Sequence, residues 1–337
     1  MRVGLFHTIQ WPEGTSQRDR YREFLEQALY VAEHGFDSIW LTEHHFSRHG
    51  IISDSLNVLS HLAARTESVR LGTAVSVLPL HNPVSLAERV GIVDQLSGGR
   101  LEFGTGKGYQ VGEFAGLGVN MADREDRFAE SMDILQRSWM SEEPFTYEGK
   151  YFSGRGIFPQ PKPVQKPHPP IWVATDTDSG FRKCAENDWG ILLPQGRSIQ
   201  AVKEQLDRYR AALDAANRPY TSDRVILARV LYLAANDETA WEEAARPYGD
   251  FLSLAERLAG PGGSPSQRGR NPFALNGGLE DAALFGSPDT CIERIHALEN
   301  IGITRAIMFV HIGGLGHDQI MGSLRLFCTE VLPMIGA

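Results

Sequence analysis

The 337-residue chain is 42% hydrophobic and carries a net charge of -9 spread without runs, which allows a large core and speaks against a nucleic-acid-binding surface. Its three cysteines, Cys184, Cys291 and Cys328, are far apart and form no CxxC, so they read as reduced thiols rather than a disulfide framework. The N-terminus runs straight into a strand pattern and no apolar run nears ~20 residues, so a soluble, cytoplasmic protein without a membrane segment is expected.

Arg2–Thr8 is the first expected strand, and Arg18–His34 a helix with Phe24, Leu25, Ala28, Leu29 and Ala32 on one face and Gly35 as its stop. Asp37–Thr42, the second strand, delivers Glu43, His44 and His45 to its C-terminal end. Asp54 can cap a helix through Ala64. The β-branched stretch Val69–Val77 is the third strand, and the turn cluster 78–83 ends in Pro83, which can start the next helix. Ser85–Leu96 has helical periodicity and Gly98-Gly99 ends it. Arg100–Phe103 makes a short fourth strand before the glycines at 104, 106 and 108, and a glycine-bearing loop, Gly104–Asn120, leads to a helix over roughly Asp123–Met140.

Residues 143–170 read as an insertion: YEGKYF (147–152) suits a hairpin and the proline-dense 159–170 an extended connector. Then come strand Ile171–Thr175, helix Ser179–Asn187, strand Gly190–Leu193, helix Ile199–Ala216, strand Val225–Leu233, helix Glu238–Leu258, helix Pro288–Ile301, strand Ala306–Val310 and helix Asp318–Val331. Eight strands alternating with helices argue for an α/β fold, a single (β/α)8 TIM barrel across 1–337. The Gly-, Pro- and Ser-rich segment 259–278 reads as a mobile lid over the mouth, or as a disordered surface loop.

A barrel's active site lies at the C-terminal ends of its strands, so chemistry is sought in the residues just beyond each strand. TDTDSG (175–180) opens a helix, where hydroxyls and free N–H groups make an anion site, with Lys107 as balancing cation; plain N-capping by Thr177 or Ser179 explains the same residues. Gly104 and Gly106 would let a flat ring approach the backbone, but GTGKG lacks the dinucleotide fingerprint because no helix opens directly after it. Adjacent His44 and His45 point in different directions and cannot easily share one metal ion, so no metal is expected.

FDSIWLTEHHF (36–46), the stretch 69–110 and PQPKPVQKPHPPIWVA (159–174) together resemble the bacterial luciferase-like flavin-dependent monooxygenases, most closely the luciferase alpha chain. Several motifs in the right order carry the resemblance over most of 1–195 and again in the last β/α unit, while 245–285 matches poorly. The resemblance implies a non-prolyl cis peptide at Ala74-Val75 under the flavin ring. It also implies FMN-phosphate contacts from Lys107, Thr177, Ser179 and Gly180, with Asp176 toward the ribityl chain and Lys107, and Tyr109 in the same flavin site. His44 would be the catalytic base or acid at the flavin's reactive edge, with Glu113 near substrate and flavin, while His45 would be structural, held by carboxylates. Where the luciferase alpha chain has a cysteine this sequence has Gly106, so a roomier flavin pocket is expected there. His311 is a weaker substrate-pocket candidate. Glu88 and Arg89 lie on the side through which relatives dimerise, although a solvated helix face explains them equally.

The implied function is a two-component FMN-dependent monooxygenase. Reduced FMN, as co-substrate from a separate NAD(P)H:flavin reductase, would react with O2 to a C4a-peroxyflavin and oxygenate a small organic substrate, the enzyme being a homodimer. An F420-dependent hydride-transfer enzyme and a non-catalytic flavin-binding subunit are the alternatives. An aldehyde substrate would follow from the nearest resemblance, yet the pocket-forming lid is the part that does not match.

Overall fold

The computed structural model describes residues 1–260 and 279–335. Apart from Ala259 and Gly260, the lid expected at 259–278 lies outside the described residues. The strands are β1 (Arg2–His7), β2 (Ser38–Leu41), β3 (Arg70–Thr73), β4 (Ser76–Val77), β5 (Leu101–Gly106), β6 (Phe145–Glu148), β7 (Ser153–Ile157), β8 (Ile171–Ala174), β9 (Gly190–Leu193), β10 (Val225–Leu233), β11 (Ala283–Gly286) and β12 (Arg305–Phe309). The helices are α1 (Gln17–Glu33), α2 (Ser55–Ala63), α3 (Pro83–Leu96), α4 (Val111–Gly116), α5 (Arg124–Met140), α6 (Asp178–Asn187), α7 (Ile199–Ala215), α8 (Asp237–Ala259), α9 (Leu279–Ala282), α10 (Pro288–Asn300), α11 (His317–Leu326) and α12 (Leu332–Ile335).

Eight parallel strands close a ring in the order β1, β2, β3, β5, β8, β9, β10, β12 and back to β1. That is the expected (β/α)8 barrel, built because helices between successive strands can cover every outer face. Local chemistry fixes the joints: Asp54 caps α2 through the N–H of Leu56, and Asn82 accepts from Val84 and Ser85 ahead of Pro83 at the start of α3. The insertion does form an antiparallel hairpin, β6 with β7.

The interior is filled from below by two indoles, Trp40 and Trp172, in edge contact at 6.3 Å, packed with Leu192, Ile226, Ala228 and Ile307. Glycine makes room for each: a side chain at Gly72 would collide with the Trp40 ring and one at Gly190 with that of Trp172. Beneath them, buried Glu102 pairs with Arg305 at 2.9 Å and with Arg70, and the Arg305 guanidinium sits 5.0 Å over the Trp172 ring. This closes the N-terminal end of the barrel.

Four expectations need correction. The stretch Val69–Val77 is not one strand: it divides into β3 and β4 around a cis Ala74-Val75 peptide, and β4 pairs with β5. The fourth barrel strand continues through Gly104 and Gly106 instead of stopping at Phe103, because glycines can lie flush against the neighbouring strand. The loop 104–120 contains the short helix α4. Finally, β11 extends the sheet by pairing with the C-terminal half of the long β10, from Val230↔Ala283 to Leu233↔Gly286; its four apolar residues lie beyond the Gly/Pro-rich segment and offer no alternation to read. No helix among the described residues is long and apolar enough to cross a membrane.

Candidate active site

A cavity of about 630 Å³ opens at the C-terminal ends of the strands, where loops between strand and helix are free to carry function. Residues from β1, β4, β5, β8, β9, β10, β12 and α8 and from the segment just beyond β2 line it, and it brings together His44, Glu113, Ala74, Val75, Gly106, Lys107, Tyr109, Asp176, Thr177 and Ser179.

His44 is buried just past β2. Its Nδ1 lies 3.0 Å from Glu113 Oε1 on α4 and 2.9 Å from the Gln110 side-chain amide. A carboxylate accepts and does not donate, so with Nδ1–H given to Glu113 the Gln110 amide must turn its oxygen, not its nitrogen, toward the ring, and Nε2 is the nitrogen left for the cavity. The same Glu113 oxygen accepts the His45 backbone N–H at 3.0 Å. One carboxylate therefore fixes both the tautomer of His44 and the backbone beside it. His49 stands against His44, ring to ring at 4.8 Å. Burial, then the neighbouring His44, holds the His49 imidazole well below the usual histidine range.

Glu43 holds the other side of the loop. Its carboxylate accepts from His45 Nε2 at 3.1 Å, from His81 Nε2 at 2.8 Å and from the Val77 backbone N–H at 3.2 Å. Arg89 donates to His81 Nδ1 at 3.0 Å and also to Asp54. Burial opposes ionisation of Glu43, but the bonds from His45 and His81 outweigh it and lower its pKa to about 2. The hydrogen bond to Glu43 raises that of His45, against the opposing effect of burial. Glu43 thus stabilises the fold above its ordinary 4.5 and loses that share as pH falls toward 2, while His45 contributes fully below 6.5 and less as pH rises through its raised value. The stability gap between wild type and Glu43→Gln should therefore be widest between pH 4.5 and 6.5; urea midpoints from pH 4 to about 9 check this, and a gap flat with pH would show that the pair is not charged.

Three cations, Lys107, Arg124 and Arg197, also line the cavity. Lys107 follows β5 and pairs with Glu125 on α5 at 2.6 Å, not with Asp176 as expected; Asp176 instead receives Arg197 Nη2 at 2.9 Å. Sequence reasoning missed the two arginines. Arg197 and Arg124 line the cavity and are buried, and the Arg124 guanidinium has no hydrogen-bond or ion-pair partner among the described residues. The signal for Arg124 was present, a basic residue in the first turn of a helix, where the dipole disfavours it. Thr177 caps α6 by accepting the Gly180 N–H at 3.2 Å, and its hydroxyl is 3.3 Å from that of Ser179. Gly180 itself is not part of the lining: its N–H is taken by the cap, and a side chain there would run into Thr175. The N–H groups of Asp178 and Ser179 have no intrahelical acceptor by position.

Small residues at or near the strand ends, Ala74, Val75, Gly106 and Ala174, also line the cavity. The extra room expected at Gly106 is filled by Val75, whose Cγ2 would stand 2.7 Å from an added Cβ. Tyr109 meets His44 edge-on at 6.1 Å, and burial pushes its phenol up. His311 is not in the cavity lining: its Nδ1 accepts the Gln10 N–H at 2.9 Å, it stacks on His7 at 4.7 Å, and burial lowers its pKa to about 3. Arg89 faces Asp54 and His81 within its own chain.

The sequence profile described as luciferase-like monooxygenase matches residues 1–305. A 40% identical stretch of 154 residues, 46% of this chain, covers 44% of an uncharacterized Sinorhizobium fredii protein, y4vJ. The oxygenase component of a flavin-dependent trigonelline monooxygenase from Acinetobacter baylyi is 24% identical over 99% of this chain and 95% of its own. The crystal structure of monooxygenase RslO1 from Streptomyces bottropensis superposes with a TM-score of 0.84 at 26% identity, over 99% of each chain.

Proposed function

The chain belongs to the luciferase-like monooxygenase family, and from that premise we propose that it is the oxygenase component of a two-component system. It would take reduced FMN from a separate NAD(P)H:flavin reductase and use O2 to oxygenate a small organic substrate. The observation that carries this reading is the buried Arg124 guanidinium, without a hydrogen-bond or ion-pair partner among the described residues, lining one cavity with Lys107, with Thr177 and Ser179 at the start of α6, and with His44.

The residues present fit such a cofactor. A phosphate dianion would be held by Arg124, Lys107, the Thr177 and Ser179 hydroxyls and the first N–H groups of α6. Asp176, held by Arg197, would face the polyol chain, and Ala74, Val75 and Gly106 would lie against the ring. When bound, the reduced flavin supplies the electrons that activate O2. The protein's own residues do the rest: His44 Nε2 accepts or returns the proton, Glu113 keeps it the free nitrogen, and Tyr109 and the apolar walls exclude water. A homodimer through the α3 side, where Ile92 and Leu96 are exposed, belongs to the same proposal; sedimentation as a single-chain species would reject it.

The test is anaerobic titration with reduced FMN, with F420 in parallel, followed by mixing with oxygen while flavin absorbance is recorded. Binding of reduced FMN and oxygen-dependent reoxidation coupled to substrate oxygenation support the reading; F420 binding alone would make it a hydride-transfer enzyme. Charged hydrogen bonds contribute about 1.5–3 kcal/mol each, so Arg124→Leu and Lys107→Met should each weaken reduced FMN by roughly 10- to 100-fold. Unchanged affinity in both would remove the anion from this site.

A further inference from the structure

We propose that the substrate is a planar aromatic ring bearing an O–H group, seated against a continuous arc of protein rings with its hydroxyl donated to His44 Nε2. This deepens the flavin monooxygenase reading and rests on it. Phe6 and Phe309 meet at 5.4 Å, Phe309 and Phe251 at 5.0 Å, and Phe251 stacks on His49 at 4.7 Å and 20°. His49 meets His44 at 4.8 Å, and His44 meets Tyr109 at 6.1 Å. All six line the same cavity, yet they come from β1, β12, α8 and the segments after β2 and β5, so no single helix or strand periodicity explains them.

Apart from Tyr109, which follows β5 as Lys107 does, the arc's members lie on β1, β12 and α8 or just beyond β2, whereas Arg124 opens α5 and Arg197 follows β9. Ring centroids 4.5–7 Å apart, tilted or edge-on, are the geometry in which aromatic faces and edges attract one another. A guest ring entering the arc finds further partners of the same kind, whereas a saturated guest of equal size finds only apolar area. His49 belongs to the arc as an uncharged ring, because burial and the adjacent His44 disfavour its protonation. The polar end is set by His44: with Nδ1 committed to Glu113, Nε2 is an acceptor, and it is matched by a donor on the guest.

The experiment uses the full chain, anaerobic, with reduced FMN present, and measures binding of three probes by equilibrium dialysis: 2-naphthol, decahydro-2-naphthol and 2-methylnaphthalene. The saturated alcohol should bind at least tenfold more weakly than 2-naphthol, and the methyl analogue at least threefold more weakly. Phe251→Leu and Phe309→Leu should each weaken 2-naphthol at least threefold, leave decahydro-2-naphthol within twofold, and leave reduced FMN retention as in wild type. Equal binding of 2-naphthol and its saturated analogue overturns the aromatic class, and equal binding of 2-naphthol and 2-methylnaphthalene overturns the hydroxyl. If a leucine variant does not fold, the wild-type probe series decides alone. Reduced FMN is quantified in the same dialysis: its failure to be retained sinks the flavin reading, whereas retention with indifferent probes sinks only this inference.

Discussion

His44→Ala should cut the yield of oxygenated product by two to four orders of magnitude while reduced FMN binds within about twofold of wild type, the span that a positioned acid or base contributes. The two readouts separate because the imidazole follows β2, whereas the anion-holding groups Lys107, Arg124, Thr177 and Ser179 follow β5, open α5 and follow β8. Nδ1 is tied to Glu113 at 3.0 Å, so the side chain reaches the cavity with one nitrogen in one tautomer. Alanine removes that nitrogen and leaves a buried carboxylate still satisfied by the His45 N–H, which keeps the loop in place. The electrons of reduced flavin should then appear as hydrogen peroxide, measurable beside the lost product. Product yield unchanged from wild type would take His44 out of the chemistry.

Gly104→Ala should destabilise the chain by about 3 kcal/mol or more, at the upper end of what overpacking a core costs. An added Cβ there would collide with the Thr73 carbonyl oxygen, with the Thr73 carbonyl carbon at 3.0 Å and Leu192 Cδ1 at 3.1 Å. The obstacle is backbone in the adjacent barrel strand, and Thr73 is itself bound to the Gly104 carbonyl at 2.5 Å; neither can swing aside as a side chain would. Gly112→Ala is the control, since nothing lies within 4 Å of its added Cβ: on helix α4 alanine should be neutral or stabilising by up to ~1 kcal/mol. Urea unfolding of the two variants checks the contrast, and equal midpoints would show that the strands at Gly104 separate more easily than this packing implies.

The eight barrel strands were legible in the sequence because each is a short apolar run set off by its own punctuation: Gly35 before β2, Gly99 before β5, Pro170 before β8. Strand β11 was not, since Ala283–Gly286 is too short for periodicity and comes after a segment without hydrophobic pattern. Within the site, what depends on one residue's chemistry and its distance from a strand end could be read: His44, Glu113, Lys107 and Thr177 all reach the cavity. What depends on pairing across the barrel could not. Asp176 offered no sign that Arg197, on the segment after the next strand, would reach it before Lys107 did. Nor did Gly106 show that Val75 would occupy the space it leaves. Glu43 belongs with these: its three donors come from positions 45, 77 and 81, and only the folded loop gathers them.

The tryptophans and the ion layer beneath them make the cavity a blind well. Whatever lies deepest must arrive first and leave last, because it cannot be bypassed from below. Every guest must therefore enter and leave by the mouth at the C-terminal ends of the strands. The plug formed by Trp40 and Trp172 leaves the barrel with a single doorway.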